Sequence, residues 1–200
     1  MAADLDAVVR ALAPRVPVAV DEPLAVAVEP DHVAQAVRAG AVGEAVPGGP
    51  ADVHLVLHPD DGFAYRHAVA AALLGRAGLD GLPPYLADGA ALWLSGDWYG
   101  RPWADWLPDL VAADVLPTAE ELLAVEPPAD GSRLLWAPVA AAVVDRLPGE
   151  TVAEKLAAPP SPSTVAAHLA ALRAAPTPAA KADAAVRLSA SPAAAASGGS

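Results

Sequence analysis

Two side chains in this 200-residue chain stand where metal or acid–base chemistry could be done. His67 lies in AYRHAVAAALLG (64–75), a run that otherwise reads as plain helix interior, and Asp88 lies in PPYLADGAALWLSGDWYG (83–100), which reads as a second helix. An imidazole supplies a metal ligand or a base near neutral pH, and a carboxylate can complete such a site. His54 and His58 are four apart in DVHLVLH (52–58), so on a strand they face one side, and with His67 and Asp88 they make a second candidate cluster. Each has a plainer reading. His67 suits a histidine tucked between helices and bonded to a neighbour. Asp88 suits the first turn of its helix, where the macrodipole favours a carboxylate. His58 runs into the turn Pro59-Asp60-Asp61-Gly62. A triad of Ser95, His67 and Asp88 can be written down, but no spacing selects it. Four of the five tryptophans, Trp93, Trp98, Trp103 and Trp106, crowd one short segment with Tyr99, which suits either a loop packed onto helices or the wall of a ligand groove.

The elements that must position these residues are divided by proline and glycine. Asp4 to about Ala13 reads as a helix stopped by Pro14, VPVAV (16–20) and LAVAVE (24–29) as short β-rich runs, and Asp31 as the cap of a helix ended by Gly40. The segment 52–58 is the clearest strand. From about Gly62 onward only helices and loops are expected, with helices near 63–76, 84–95, 103–113, 118–125, 135–147, 150–157, 163–174 and 180–189. Thr118 with Glu121 spells a capping box, Ser161 offers another cap, and Pro84 sits where a first-turn proline is tolerated. Strands early and helices late predict an α+β fold. The expected organisation is an N-terminal α/β segment of the same domain over 1–50, a main region over 51–175, a terminal helix over 176–190 and a disordered Ala/Ser/Gly/Pro tail over 191–200.

Composition removes several function classes. Hydrophobic residues make up 54% of the chain, but 52 positions are alanine, so the core must be closely packed and filled out by Leu, Val and a few Trp. Twelve Lys and Arg stand against 24 Asp and Glu, and the formal charge of −12 repels a phosphate backbone, so no nucleic-acid partner is expected. The absence of cysteine excludes disulfides, thiolate metal sites and a thiol nucleophile. MAADLDAVVRALAPR lacks the basic start and long apolar run of a signal peptide, and no window reaches about 18 apolar residues. A cytoplasmic chain with no membrane segment is expected, and the sequence leaves its oligomeric state open. The phosphate-binding loops, the Gly-x-Ser-x-Gly elbow and calcium-loop patterns are missing.

The segment Pro84-Tyr85-Leu86-Ala87-Asp88-Gly89-Ala90-Ala91-Leu92-Trp93-Leu94-Ser95-Gly96 resembles the second zinc-site helix of the gluzincin, or peptidase-MA-like, metallopeptidases. There a pattern close to Pro-x-Trp-Leu-x-Glu-Gly-x-Ala-x-Tyr-x-x-Gly follows a first helix bearing His-Glu-x-x-His. The order also agrees, with the strand at 52–58 ahead and the helical stretch LLWAPVAAAVVDRLPGETVAEKL (134–156) behind. The resemblance implies a short N-terminal β-region followed by a mostly helical gluzincin-like domain. It places His67 at the first ligand, Ala68 at the general base, Ala71 at the second histidine and Asp88 at the third ligand. Two of these four roles are empty. Asp88 is one methylene shorter than the family's glutamate, and metal–oxygen distances near 2.0–2.2 Å leave little slack. Without a base at Ala68 the zinc-water mechanism lacks its proton acceptor. The resemblance thus implies a catalytically inactive domain, with no catalytic residue, no metal and no cofactor. Its vestigial cleft, lined by Tyr85, Trp93, Trp98, Tyr99, Trp103 and Trp106, would bind a peptide or protein or serve as a scaffold. The alternative is a zinc-dependent hydrolase or peptidase using His54, His58, His67 and Asp88.

Overall fold

The computed structural model describes residues 2–16, 23–29, 53–56, 64–79, 81–98, 100–126 and 132–175. The expected helix at 31–40, the terminal helix, the tail, His58 and Tyr99 lie outside them. Helix α1 (Ala2–Leu12) ends in a 3-10 turn over Ala13–Arg15 that contains Pro14. Strand β1 (Val26–Glu29) pairs in parallel with β2 (Val53–Val56), with Val26 opposite Val53 and Ala27 opposite His54. Then come α2 (Ala64–Arg76) and α3 (Pro84–Ser95). The remaining elements are a hairpin of β3 (Asp97–Trp98) and β4 (Arg101–Pro102), a 3-10 turn over Trp103–Trp106, and α4 (Leu107–Ala112), α5 (Ala119–Leu122), α6 (Ser132–Arg146), α7 (Val152–Lys155) and α8 (Pro162–Ala174). The described residues are mostly helical with a few short strands, and the class is α+β.

Three expectations need correction. The stretch after Gly62 is not free of strand, because Gly96 (φ 89°) ends α3 in the left-handed region and turns the chain into the β3–β4 hairpin. The helix expected at 103–113 is a 3-10 turn followed by α4, whose first turn carries Pro108. Asp88 is not in the first turn of its helix. With Pro83 at the N-cap and Pro84 opening α3, Asp88 is a full turn further in, and no acidic residue occupies the first turn. The macrodipole account of Asp88 therefore lapses.

Helix α3 is the centre of the fold, packed between α2 and α6. Tyr85, Leu86, Ala90, Ala91, Leu92 and Leu94 are buried around it, as expected for a helix that meets neighbours on several sides. In α6 every residue from Ala137 to Val144 is buried. Small side chains let the two helices approach closely: a Cβ added at Gly89 would lie 2.5 Å from the Ala140 Cβ and 2.8 Å from the Ala141 backbone nitrogen. One core continues from α2 (Val69, Ala70, Leu73, Leu74) to α8 (Val165, Leu169, Leu172) and takes in Leu12 and Val16 of the N-terminal segment. Arg15 pins that segment to the end of α3, donating to the Leu94 carbonyl at 3.0 Å. A guanidinium there faces the negative end of the helix.

Local signals set the C-terminal half. Thr118 and Glu121 form the expected capping box at α5, and Thr151 with Glu154 forms a second at α7. The Ser161 hydroxyl accepts from the Thr164 amide at α8. Backbone donors at Thr151 and Glu150 hold the Glu154 carboxyl below its ordinary value of 4.5. Among the described residues no helix is long and apolar enough to cross a membrane.

Candidate functional site

Packing of α3 onto α2 brings the two candidate positions onto neighbouring helices. The buried stripe of α2 is Val69, Ala70, Leu73 and Leu74, so His67 falls at its edge, half-buried, with Ala68 half-buried beside it against the core. Ala71, one turn on from His67 and on the same face, is exposed. Asp88 is half-buried on α3. The β3–β4 hairpin folds back over the start of α2, and the Trp98 ring meets the His67 ring edge-on, with centroids 5.1 Å apart and planes at 70°. An edge-to-face contact of this kind holds an imidazole in place.

The same hairpin brings charge to the site. Asp97 Oδ2 stands 3.7 Å from Arg66 Nη1, and the Asp97 side chain is 18% exposed. Burial pushes the Asp97 carboxyl above its ordinary value of 3.8, with the Arg66 charge opposing the rise. A raised carboxyl keeps its proton in the folded state at pH values where the unfolded chain has released it. Its ionisation therefore costs stability as pH rises above about 3.8. Asp97→Asn should be at least as stable as the parent at neutral pH, with an advantage that shrinks on acidification and vanishes below that value. Paired denaturation curves at about pH 3.5 and 7 measure this. A variant that is less stable at neutral pH would mean that Arg66 outweighs burial.

Trp93 and Trp106 are bound into the fold by their own donors. Trp106 Nε1 donates to the Trp98 carbonyl at 3.1 Å, and its ring lies 5.1 Å from the Arg101 guanidinium. Arg101 in turn holds Asp109 at 3.0 Å and the Asp105 carbonyl. Trp98 and Trp103 pack against Leu92, Ala137 and Ala141. Trp93 donates to Asp145 at 2.9 Å, and Arg15 and Lys155 lie 4.7 and 5.2 Å from its ring. Lys155 also caps the end of α6, donating to the Asp145 and Leu147 carbonyls at 2.7 Å each. Tyr85 is fully buried beside Trp136, with centroids 5.1 Å apart. It cannot line an open cleft, because α3 lies between α2 and α6. The aromatic ring shown against His67 is that of Trp98, and Trp106 is tied to the same hairpin through the Trp98 carbonyl.

Sequence reasoning singled out His67 and Asp88 but passed over Arg66 and Asp97. Each of these two directly precedes a residue that drew attention, His67 and Trp98, and only the hairpin's return over α2 pairs them. His54 contributes its backbone to β2. Among the described residues no group of three or more His, Asp or Glu side chains is placed to hold a metal ion. Ala68 and Ala71 carry no ligating atom, so the residues at the family's four positions do not fit a gluzincin zinc centre. In comparisons with known proteins, no family model, no curated protein and no solved structure matches this chain.

Proposed function

We propose that this chain is a gluzincin-like domain that has lost peptidase chemistry and acts by binding or as a scaffold. The observation that carries this reading is the residue set at the start of α2, a half-buried His67 followed by Ala68 and an exposed Ala71, with Asp88 on the adjoining helix. One imidazole and one short carboxylate give weak zinc affinity, and a methyl group at position 68 cannot take a proton from water. What remains at this place is a surface. The Trp98 ring of the hairpin meets His67, with Trp103 and Trp106 following in the 3-10 turn, and such aromatic side chains suit a peptide or a segment of a partner protein.

Elemental analysis of the purified, dialysed protein tests the reading together with an assay on a mixed peptide library. Zinc far below one equivalent and an undigested library are expected. About one zinc per chain, with cleavage lost in His67→Ala, would establish an active enzyme instead.

A further inference from the structure

Arg66 uses little of its hydrogen-bonding capacity. Its Nε is buried and has no hydrogen-bond partner, and its Nη1 stands 3.7 Å from Asp97 Oδ2, longer than a hydrogen bond. The contrast with other described arginines is direct. Arg15, Arg76, Arg101, Arg146 and Arg173 each donate to a carbonyl or carboxylate oxygen at hydrogen-bond distance. The Arg66 side chain is nevertheless 40% exposed, so it is the outer Nη donors, not the buried Nε, that can meet a ligand. It is adjacent to His67, whose ring meets that of Trp98.

We propose that Arg66 is the anchor for the terminal carboxylate of a peptide ligand whose last side chain lies against the Trp98–His67 wall. This rests on the binding role proposed above and names its ligand class. The guanidinium fork matches a carboxylate with two parallel N–H···O bonds. A single negative charge is favoured over a multivalent anion because the chain itself carries a formal charge of −12. An inorganic anion would gain nothing from the aromatic wall. Asp97 is the internal competitor. It sits close enough to balance the Arg66 charge but too far to hydrogen-bond, so the ligand carboxylate takes over its role.

Calorimetric titration of the full chain with benzoyl-glycyl-phenylalanine and with its C-terminal amide tests the anchor. The acid should bind about tenfold or more tightly than the amide, since only the acid makes charge-assisted bonds. Arg66→Gln should abolish that preference, and Arg66→Lys, which keeps the charge without the fork, should retain only part of it. Asp97→Asn should strengthen binding of the acid and leave the amide unchanged, an outcome that a purely structural Arg66–Asp97 pair does not produce. Equal binding of acid and amide, binding of neither, or an Asp97→Asn variant that binds the acid no better would overturn the proposal. Chromatography of the same mixtures separates the two readings: cleavage of the peptide refutes the non-catalytic role, whereas the acid–amide preference alone decides the anchor.

Discussion

Gly89→Ala lowers the melting temperature by roughly 10 °C, the loss expected for about 3 kcal/mol in a chain of this size. Alanine is the better helix former by about 1 kcal/mol, so the substitution would be favourable on an open helix face. Here the new Cβ would lie 2.5 Å from the Ala140 Cβ, 2.6 Å from the Ala140 carbonyl carbon and 2.8 Å from the Ala141 nitrogen. Two of these three atoms are backbone, so relief requires α3 and α6 to move apart, which loosens the packing of Tyr85 and Leu92. Ala140→Gly in the same chain should recover only part of the loss. Gly75→Ala is the control, since a Cβ there meets nothing within 4 Å, and it should be neutral or stabilising by about 0.5 kcal/mol. Thermal melts of the four proteins measure all of this, and a Gly89→Ala variant as stable as the parent would mean that the two helices do not cross at this point.

That crossing also explains the glycine beside Asp88, which the sequence presents only as one letter of a resembling pattern. What was legible in the chain was local. Pro84 and Gly96 bound α3, and the pairs Thr118–Glu121 and Ser161–Thr164 cap their helices, because each signal is complete within four residues or fewer. The Thr151–Glu154 box has the same spelling as the one at Thr118 and was equally open to reading. The β3–β4 hairpin was not. Strands of two residues carry no period, and Asp97-Trp98 reads as loop after the stop at Gly96. The candidate site suffers most from this limit, since the Trp98 contact to His67 and the approach of Asp97 to Arg66 both depend on where that hairpin lands. Likewise, nothing in the run PYLADGAALWLS says that Tyr85 turns inward to Trp136 while Trp93 reaches Asp145.

Restoring the family's four residues is the sharpest test of the resemblance. In the triple variant Ala68→Glu, Ala71→His and Asp88→Glu, positions 67 and 71 lie one turn apart on α2, and position 88 lies on α3, the helix in contact with α2. Two imidazoles and a longer carboxylate would then converge, with a base beside them, and zinc should bind at about one equivalent. The cost without metal is uneven. An imidazole at the exposed position 71 enters water, whereas the carboxylate introduced by Ala68→Glu replaces a half-buried methyl group packed against the core and loses hydration. The metal-free variant should therefore melt below the parent. Zinc at about one hundred times its dissociation constant should return about 2.7 kcal/mol by binding the folded state alone, a rise of roughly 5–10 °C in this size class. The added zinc should leave the parent's melting temperature unchanged. Peptidase activity need not return with the metal, because the groups that orient ligands and substrate are not rebuilt by three substitutions. A folded triple variant that binds no zinc in calorimetry would show that residues 67, 71 and 88 do not converge. The resemblance to gluzincins would then have to be given up, while the acid–amide preference at Arg66 would still be judged by its own titration.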